Sequence, residues 1–283
     1  MLRRKLFHDE QAPSSKAIKL NDNQVSETSK YFTPSYPDQI LKIQLNLNQL
    51  LAKLNFIEGK IHYVYNPLEY AFDTNEMYIR KYCTSRKQVV FVGMNPGPYG
   101  MCQTGVPFGD VSMVRDWLQL SGDVNKPLTE CPNRPIQGFQ CTRKEQSGHK
   151  FWTLLKEICG TPETFFKKCF VYNYCPLAFM KADGGNVTPS EIKGDQKKTL
   201  ETACDAAFFE IIELLSPEII VAVGEYSERK ANTLLKVCSP PLGNIRIVRL
   251  PHPSPRALNN QNWPEKARQF FEENNLLPYL KNE

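Results

Sequence analysis

The sequence lacks the glycine-rich patterns that hold nucleotide phosphates. Neither Gly-x-x-x-x-Gly-Lys-Ser/Thr nor Gly-x-Gly-x-x-Gly occurs in its glycine- and proline-rich stretch, residues 93–110, so this stretch gives no support to a nucleotide cofactor. The sequence also has no signal peptide and no apolar run long enough to cross a bilayer. We therefore expect no membrane association.

Zinc and iron–sulfur signatures are missing as well. The nine cysteines contain no Cys-x-x-Cys pair, which argues against a zinc site or an iron–sulfur cluster. Their number is odd, and several, such as Cys169 and Cys204, lie in apolar or helical patterns where a free thiol behaves as a small buried hydrophobe. The sequence thus predicts reduced thiols, no metal site, and a protein of the cytosol or the nucleus.

Length and charge allow one large domain with an anionic partner. The chain has 283 residues, of which 41% are hydrophobic, and its net charge is +5, which suits an anionic partner without requiring one. Residues 1–33 are polar and turn-rich, with Arg3-Arg4-Lys5 near the start. We expect a disordered arm there, either solvated chain or a targeting or DNA-contacting segment. Residues 34–283 are predicted to form a single domain.

Four short apolar runs alternate with helical patterns along this domain. The predicted strands are Val89–Val92, Phe170–Tyr172, Ile219–Val223 and Ile245–Leu250. The predicted helices cover 37–54, 68–82, 111–120, 151–158, 199–215, 227–237 and 263–274. Asp110 and Ser227 are the expected N-caps of two of them. This alternation predicts an α/β fold with three layers, α/β/α, around a four-stranded and mostly parallel sheet. The polar connection 121–149 is long enough to be either functional or mobile.

Polar side chains follow three of the four predicted strands. Asn95 follows the first strand, Asn173 the second and His252 the fourth. Each alone has a simple structural explanation, such as a satisfied turn. Because ligands bind outside the carboxyl ends of parallel strands, we expect the three side chains to meet at one edge of the sheet. Two amides and an imidazole, without a Ser or Cys nucleophile beside a base, argue against acyl transfer and metal chemistry and suit recognition of a polar planar ligand.

A proline-rich loop surrounds His252. Alternating prolines fix φ along Pro251–Pro255 and hold a short, stiff segment with Arg256 at its tip. A segment of this kind is able to enter a duplex and replace an extruded base.

Four sequence motifs occur in a fixed order along the chain. They are Gly-Met-Asn-Pro-Gly-Pro-Tyr-Gly-Met (93–101), Gly-Val-Pro-Phe-Gly-Asp (105–110), Asn-Tyr-Cys-Pro-Leu-Ala-Phe (173–179) and His-Pro-Ser-Pro-Arg (252–256). Together they resemble the motifs of the uracil-DNA glycosylase superfamily, and within it those of the single-strand-selective monofunctional family. The likeness runs from about residue 35 to the end of the chain. It implies a uracil-DNA glycosylase-like catalytic domain.

The resemblance implies a role for each residue of these motifs. Asn95 would position the water that attacks the deoxyribose C1′, and His252 would stabilise the departing uracil anion. Asn173 would read the Watson–Crick edge of the flipped base, while Phe108 would stack on its face. Many uracil glycosylases place an Asp where Asn95 stands. Since Asn cannot act as a general base, stabilisation of charge in the transition state must carry more of the rate.

The remaining implied roles concern lesion choice and DNA contact. Gly97 and Met101 would shape the pocket beside the C5 position of the base, where the family admits uracil and some C5-oxidised uracils. Arg256 and Pro255 would belong to the wedge, and Ser254 would contact a backbone phosphate.

The implied activity is excision of uracil, and of C5-oxidised uracils such as 5-hydroxymethyluracil, from single- and double-stranded DNA. Hydrolysis leaves an abasic site and requires no cofactor. No lysine occurs in the three loops, and Lys181 is expected to be solvated, so water is the expected nucleophile. The implied setting is a monomer in the nucleus whose product passes to abasic-site repair enzymes.

Three alternatives stay open at this point. The chain is also compatible with a glycosylase tuned to mismatched thymine or to deaminated purines. A DNA-binding scaffold without catalysis is a second alternative, although the presence of Asn95 and His252 argues against it. A small-molecule α/β enzyme is a third, and it requires that DNA does not bind.

Overall fold

The computed structural model describes residues 34–57, 59–237, 242, 244–257 and 260–281. The residues from Ser35 onward form one compact unit. The arm predicted at residues 1–33 lies outside the described residues, and its boundary stays a prediction.

The described residues contain two sheets and the helices that pack around them. The strands are β1 (Tyr63–Tyr65), β2 (Val89–Gly93), β3 (Cys169–Asn173), β4 (Ala178–Met180), β5 (Asn186–Val187), β6 (Ile219–Val223) and β7 (Arg246–Leu250). The helices are α1 (Tyr36–Leu51), α2 (Pro67–Tyr70), α3 (Phe72–Tyr82), α4 (Met101–Thr104), α5 (Val111–Asp116), α6 (Gln146–Cys159), α7 (Pro162–Lys168), α8 (Gly194–Leu215), α9 (Glu225–Val237), α10 (Trp263–Glu273) and α11 (Leu277–Leu280). Short 3-10 helices cover Gly138–Gln140 and Pro189–Glu191.

The central sheet has the strand order β3-β2-β6-β7, and every pairing is parallel. Each residue of β2, β3 and β6 is buried. Because neighbouring side chains of a strand point to opposite faces, burial of all of them means that both faces are covered. The predicted α/β class and the four predicted strands are confirmed.

A second sheet was not predicted. In it β4 pairs antiparallel with β1 on one side and with β5 on the other. These strands have only two or three residues each, so they are too short to produce a recognisable alternation of polar and apolar side chains. The sheet matters for the site because Leu177, the residue before β4, contacts one of the predicted catalytic side chains.

Several predicted helix boundaries are wrong for identifiable reasons. The segment 68–82 is broken into two helices at Ala71, whose φ of −112° and ψ of 31° are not helical. Helix α6 begins at Gln146 instead of Phe151, because the carboxylate of Glu145 accepts the N–H of Ser147 and caps it. Helix α5 ends at Asp116 instead of Leu120, and the φ of +52° at Gln119 is incompatible with a helix that continues to Leu120.

The cap predicted at Ser227 is also wrong. Helix α9 begins two residues earlier, directly after Gly224, which has a φ of +90°. Ser227 is therefore inside the helix, where its buried hydroxyl makes no hydrogen bond with a described residue. Asp110, in contrast, caps α5 as predicted, because its side chain accepts the N–H of Met113.

None of the helices in the described ranges combines the length and the apolar character that a bilayer span requires.

Candidate active site

The loops that carry the predicted site residues leave the same edge of the central sheet. In the parallel register Gly93, the last residue of β2, lies beside Asn173, the last residue of β3. Leu250, the last residue of β7, lies beside Val223 of β6. The chain segments that follow these strands hold Asn95 and His252. The sheet thus brings both predicted catalytic side chains to the edge at which Asn173 lies.

Asn95 is fixed by a backbone carbonyl of the loop between β3 and β4. Its Nδ2 donates to the carbonyl oxygen of Leu177 at 3.1 Å. This bond uses the donor side of the amide and sets its orientation, and Oδ1 makes no hydrogen bond with a described residue. A carboxamide held in this way can accept a hydrogen bond from a water molecule.

Asn173 and Met101 contact each other in the interior of the site. Asn173 is buried, and its Nδ2 lies 3.2 Å from the Sδ of Met101. A thioether sulfur is only a weak acceptor, so a carbonyl oxygen of a ligand is able to replace it as the partner of Nδ2. The amide fits beside β2 because Gly93 has no side chain there.

Phe108 is a half-buried aromatic ring close to His252, and Gly93 separates it from Asn173. One face of Phe108 stacks on Phe151, with ring centroids 4.6 Å apart and planes at 22°. Its centroid is 6.3 Å from that of His252. The residue has a φ of +52°, an unusual value for a non-glycine residue, and its carbonyl packs against Gly148, where a side chain would not fit. The backbone turn thus presents the ring to the site.

His252 is a neutral imidazole whose tautomer is fixed. Its Nδ1 accepts the backbone N–H of Ser254 at 3.1 Å, which places the single ring proton on Nε2. Burial lowers the pKa of His252 from 6.5 to about 4, because the interior disfavours the charged form. Gly224 at the end of β6 contacts the ring and its Cβ. At neutral pH this residue can donate from Nε2 without carrying a charge.

The loop around His252 is held by several hydrogen bonds. The Nε1 of Trp263 donates to the carbonyl of Pro251 at 2.7 Å, and the amide of Asn260 donates to the carbonyl of Ser254. The Oγ of Ser254 accepts the N–H of Arg256 at 3.2 Å. Pro255 and Arg256 are exposed. The hydrogen bonds hold this loop in one conformation, and Arg256 is exposed at its tip.

Glu145 packs against the loop that carries Asn95, a contact that no sequence pattern predicted. A Cβ on Gly97 would lie 2.9 Å from its Oε2, and a Cβ on Gly100 would lie 2.8 Å from its Cγ. Burial raises the pKa of this carboxyl, opposed by the hydrogen bonds from Ser147 and Gly148. Gly97 is thus explained by the close approach of Glu145, which comes from a distant part of the chain.

Two lysines, Lys181 and Lys87, bear on the question of an amine nucleophile. Lys181 is exposed, as predicted. Burial lowers the pKa of Lys87, yet this lysine precedes β2 and donates to the carbonyl of Phe166, so it lies at the opposite end of the strand. Within the part of the chain that the structure describes, no group of three or more His, Cys, Asp or Glu residues is arranged to hold a metal ion.

Comparison with known proteins gives consistent matches. A family model described as the Uracil DNA glycosylase superfamily matches residues 80–276. The single-strand selective monofunctional uracil DNA glycosylase of Mus musculus is 42% identical over 252 residues, which are 89% of this chain and 89% of the mouse protein. The protein of the same name from Bos taurus is 43% identical over 247 residues, 87% of this chain and 89% of the bovine protein.

A solved structure gives the same result for the fold. The crystal structure of Pedobacter heparinus SMUG2 superposes with a TM-score of 0.57 at 20% identity, covering 86% of this chain and 100% of that chain. The family match spans the strands and loops of the edge described above, and the curated relatives align over most of both chains. As the motifs predict, the chain belongs to the uracil DNA glycosylase superfamily and, within it, to the single-strand selective monofunctional uracil DNA glycosylases.

Proposed function

We propose that this protein flips uracil out of DNA into the site formed by Asn95, Phe108, Asn173 and His252 and hydrolyses the N-glycosidic bond. The product is an abasic site in an otherwise intact strand. The observation that carries the proposal is the fixed geometry of the two polar groups. The donor of Asn95 is occupied by Leu177, and the acceptor of His252 is occupied by Ser254. Each residue therefore has one group left for the reaction, an acceptor for water on Asn95 and a donor for the leaving base on His252.

Recognition of the base rests on Asn173 and Phe108. Uracil presents a carbonyl acceptor and an N–H donor side by side, and a carboxamide carries the complementary donor and acceptor. The O4 of uracil would replace the Met101 sulfur as the partner of Asn173 Nδ2. Phe108, supported from behind by Phe151, would stack on the flat face of the base.

The chemistry requires stabilisation of a leaving anion and delivery of water. As the bond to C1′ loosens, negative charge develops on the uracil ring and positive charge on the sugar. The Nε2–H of neutral His252 would donate to uracil O2 and stabilise this charge where it develops. A water held by the Oδ1 of Asn95 would then add to C1′. Because Asn is not a base, its contribution is to position the water.

The finer substrate range belongs to the same proposal. Gly97 has no side chain, and Met101 is unbranched and flexible, so the pocket is proposed to admit C5-oxidised uracils such as 5-hydroxymethyluracil. Arg256 and Pro255, at the exposed tip of their loop, would take the place of the base extruded from a duplex, and Ser254 would contact a phosphate. Both single- and double-stranded DNA are therefore proposed substrates.

The cellular setting is also part of the proposal. We place the protein in the nucleus as a monomer that hands abasic DNA to downstream repair enzymes. A released abasic site is chemically fragile, which makes such a transfer useful.

A lesion panel tests the proposed function. Oligonucleotides of one sequence, single- and double-stranded, would carry uracil, 5-hydroxymethyluracil, mismatched thymine or hypoxanthine, and alkali would reveal abasic sites after incubation with excess enzyme. We expect strand breaks after alkali for uracil and 5-hydroxymethyluracil. Preferential release of thymine or hypoxanthine would favour a glycosylase of different specificity. Binding of all strands without any base release would mean a DNA-binding scaffold.

A further inference from the structure

Tyr99 lies in the loop between Asn95 and Met101 and is approached by two arginines. The guanidinium carbon of Arg134 is 5.1 Å from the centroid of the Tyr99 ring, and that of Arg143 is 4.6 Å from it. Arg134 also donates to the hydroxyl of Tyr99. Both arginines belong to the long connection 121–149, for which the catalytic scheme provides no role. We call Tyr99, Arg134 and Arg143 together the Tyr99 surface.

The two arginines are held differently. The Nε of Arg134 donates to the carbonyl of Gly184 at 2.9 Å, and one of its terminal nitrogens donates to the carbonyl of Asn133 at 3.2 Å. These bonds fix its guanidinium beside the ring. Arg143 is exposed, and its position follows from the stacking on Tyr99. The surface thus has one rigid cation and one accessible cation.

Positive charge on this surface is not balanced by a described carboxylate. Neither Arg134 nor Arg143 forms an ion pair with an acidic residue of the described ranges. Two acidic residues of the adjoining segments accept hydrogen bonds from backbone N–H groups outside the surface. Asp183 accepts the N–H of Gly185 at 2.7 Å, and Glu145 accepts that of Ser147 at 3.1 Å. The two guanidinium groups beside the Tyr99 ring repel each other, and an anion bound between them would offset this repulsion.

The Tyr99 surface is close to the site along the chain and in space. Tyr99 is four residues from Asn95 and two from Met101. The glycines on both sides of the Pro98-Tyr99 pair, Gly97 and Gly100, pack on Glu145, which is two residues from Arg143. The cations therefore lie at the rim of the loop that positions Asn95. An anion bound there would be a neighbour of the reacting nucleotide.

We propose that the Tyr99 surface binds phosphodiester groups of the DNA strand beside the flipped nucleotide. The inference rests on the proposed function, and it assigns a role to the connection 121–149. Guanidinium groups form paired hydrogen bonds with phosphate oxygens. A ring that holds two of them in place reduces the conformational entropy that they lose on binding. Contact with a single backbone requires no second strand, so the surface serves single-stranded and duplex DNA alike.

Equilibrium binding tests the proposal independently of catalysis. Affinity for a uracil-free single strand would be measured by fluorescence anisotropy for the wild type and for Arg143→Gln. Arg86→Gln is the matched control, because Arg86 is exposed, forms no ion pair with a described residue and precedes β2 at the end opposite the site. The plot of log affinity against log salt should lose about 0.7 of its slope for each lost phosphate contact. The advantage of the wild type over Arg143→Gln should then shrink about 2.5-fold between about 50 and about 200 mM salt.

Neutral phosphate analogues locate the contact. Methylphosphonate groups would replace one phosphate at a time around the uracil. At one or two positions they should weaken binding of the wild type and of Arg86→Gln but not of Arg143→Gln. Two results would overturn the assignment. One is the same slope of log affinity against log salt for Arg143→Gln and Arg86→Gln. The other is methylphosphonate weakening DNA binding by the wild type and by Arg143→Gln equally at every position. Excision of uracil by the wild type is measured separately. Failure of the phosphate contact at the Tyr99 surface can therefore be distinguished from failure of the proposed function.

Discussion

A methyl group on Gly93 would lie 2.2 Å from the Oδ1 of Asn173 and 2.9 Å from the ring of Phe108. Gly93→Ala should therefore displace the amide that reads the base, while the fold tolerates the added carbon at a cost of about 1–3 kcal/mol. We expect single-turnover excision of uracil to fall by at least about tenfold, since small displacements in a reacting complex have large effects on rate.

Two comparisons establish that this loss acts through Asn173. The double variant Gly93→Ala with Asn173→Ala should be no slower than Asn173→Ala alone, because the displaced group is already absent. Gly122→Ala is the control, since its added carbon meets the flexible end of Met77 and, at an ordinary contact distance, the hydroxyl of Thr74. Additive losses in the double variant would mean that Gly93 acts on something other than Asn173.

The pH dependence of excision follows from the neutral state of His252. Its pKa of about 4 keeps the ring uncharged over the physiological range. Protonation would place a second proton on Nδ1, against the N–H of Ser254 that this atom accepts. Between about pH 8 and about pH 5 His252 stays neutral, so its protonation should not alter the rate of excision. The rate should fall as the pH approaches 4. A pH–rate profile tests this, and a step near 6.5 that disappears in His252→Gln would contradict it.

The same pKa predicts a stability effect. The unfolded chain takes up a proton at His252 near pH 6.5, while the folded protein resists it until about pH 4. The free energy of unfolding should therefore decrease as the pH falls through this window. His252→Gln, which cannot titrate, should lose less stability over the same range in urea unfolding experiments.

Arg256→Ala should affect duplex DNA more than single strands. The side chain lies at the exposed tip of a hydrogen-bonded loop, and a wedge is needed chiefly where a base must leave its pair and its stack. Single-turnover rates on matched single- and double-stranded substrates would measure the difference. Equal losses on both substrates would remove the wedge role and leave a general contact with DNA.

The strand should remain intact until alkali is added. A glycosylase that also cuts DNA requires an amine of depressed pKa that attacks the sugar. Burial depresses the pKa of Lys87 at the opposite end of β2, and Lys181 is exposed. Borohydride added during turnover should consequently trap no protein–DNA adduct. A covalent band that Lys181→Ala abolishes would show amine catalysis instead.

The parts of the fold that the sequence predicts well are those encoded by neighbouring residues. Four runs of apolar and β-branched residues identify the central strands. Asn173 ends one of these strands, and Asn95 and His252 each stand two residues beyond the end of another. Parallel strands bring their carboxyl ends to one edge of the sheet, so the placement of these three side chains at that edge follows from the topology.

Contacts between distant segments were not predictable in the same way. Glu145 packs under Gly97 from a connection whose sequence has no distinguishing pattern. Leu177 lies in a recognisable motif, but it binds Asn95 through its backbone carbonyl, which the identity of the residue does not reveal. The serine of α9 illustrates a related failure. Ser227 has the right chemistry for a cap, but the helix begins at Glu225, directly after Gly224, which has a positive φ.

The most direct test of the account is single-turnover excision from a uracil-containing single strand by the wild type and by Asn95→Ala. Binding would be measured in parallel by anisotropy on the same strand. The wild type should release uracil and leave alkali-labile sites, and Asn95→Ala should be slower by about 10²-fold or more with nearly unchanged binding, since the amide positions water and does not hold DNA. Equal excision rates for the two proteins would contradict the assignment of the site.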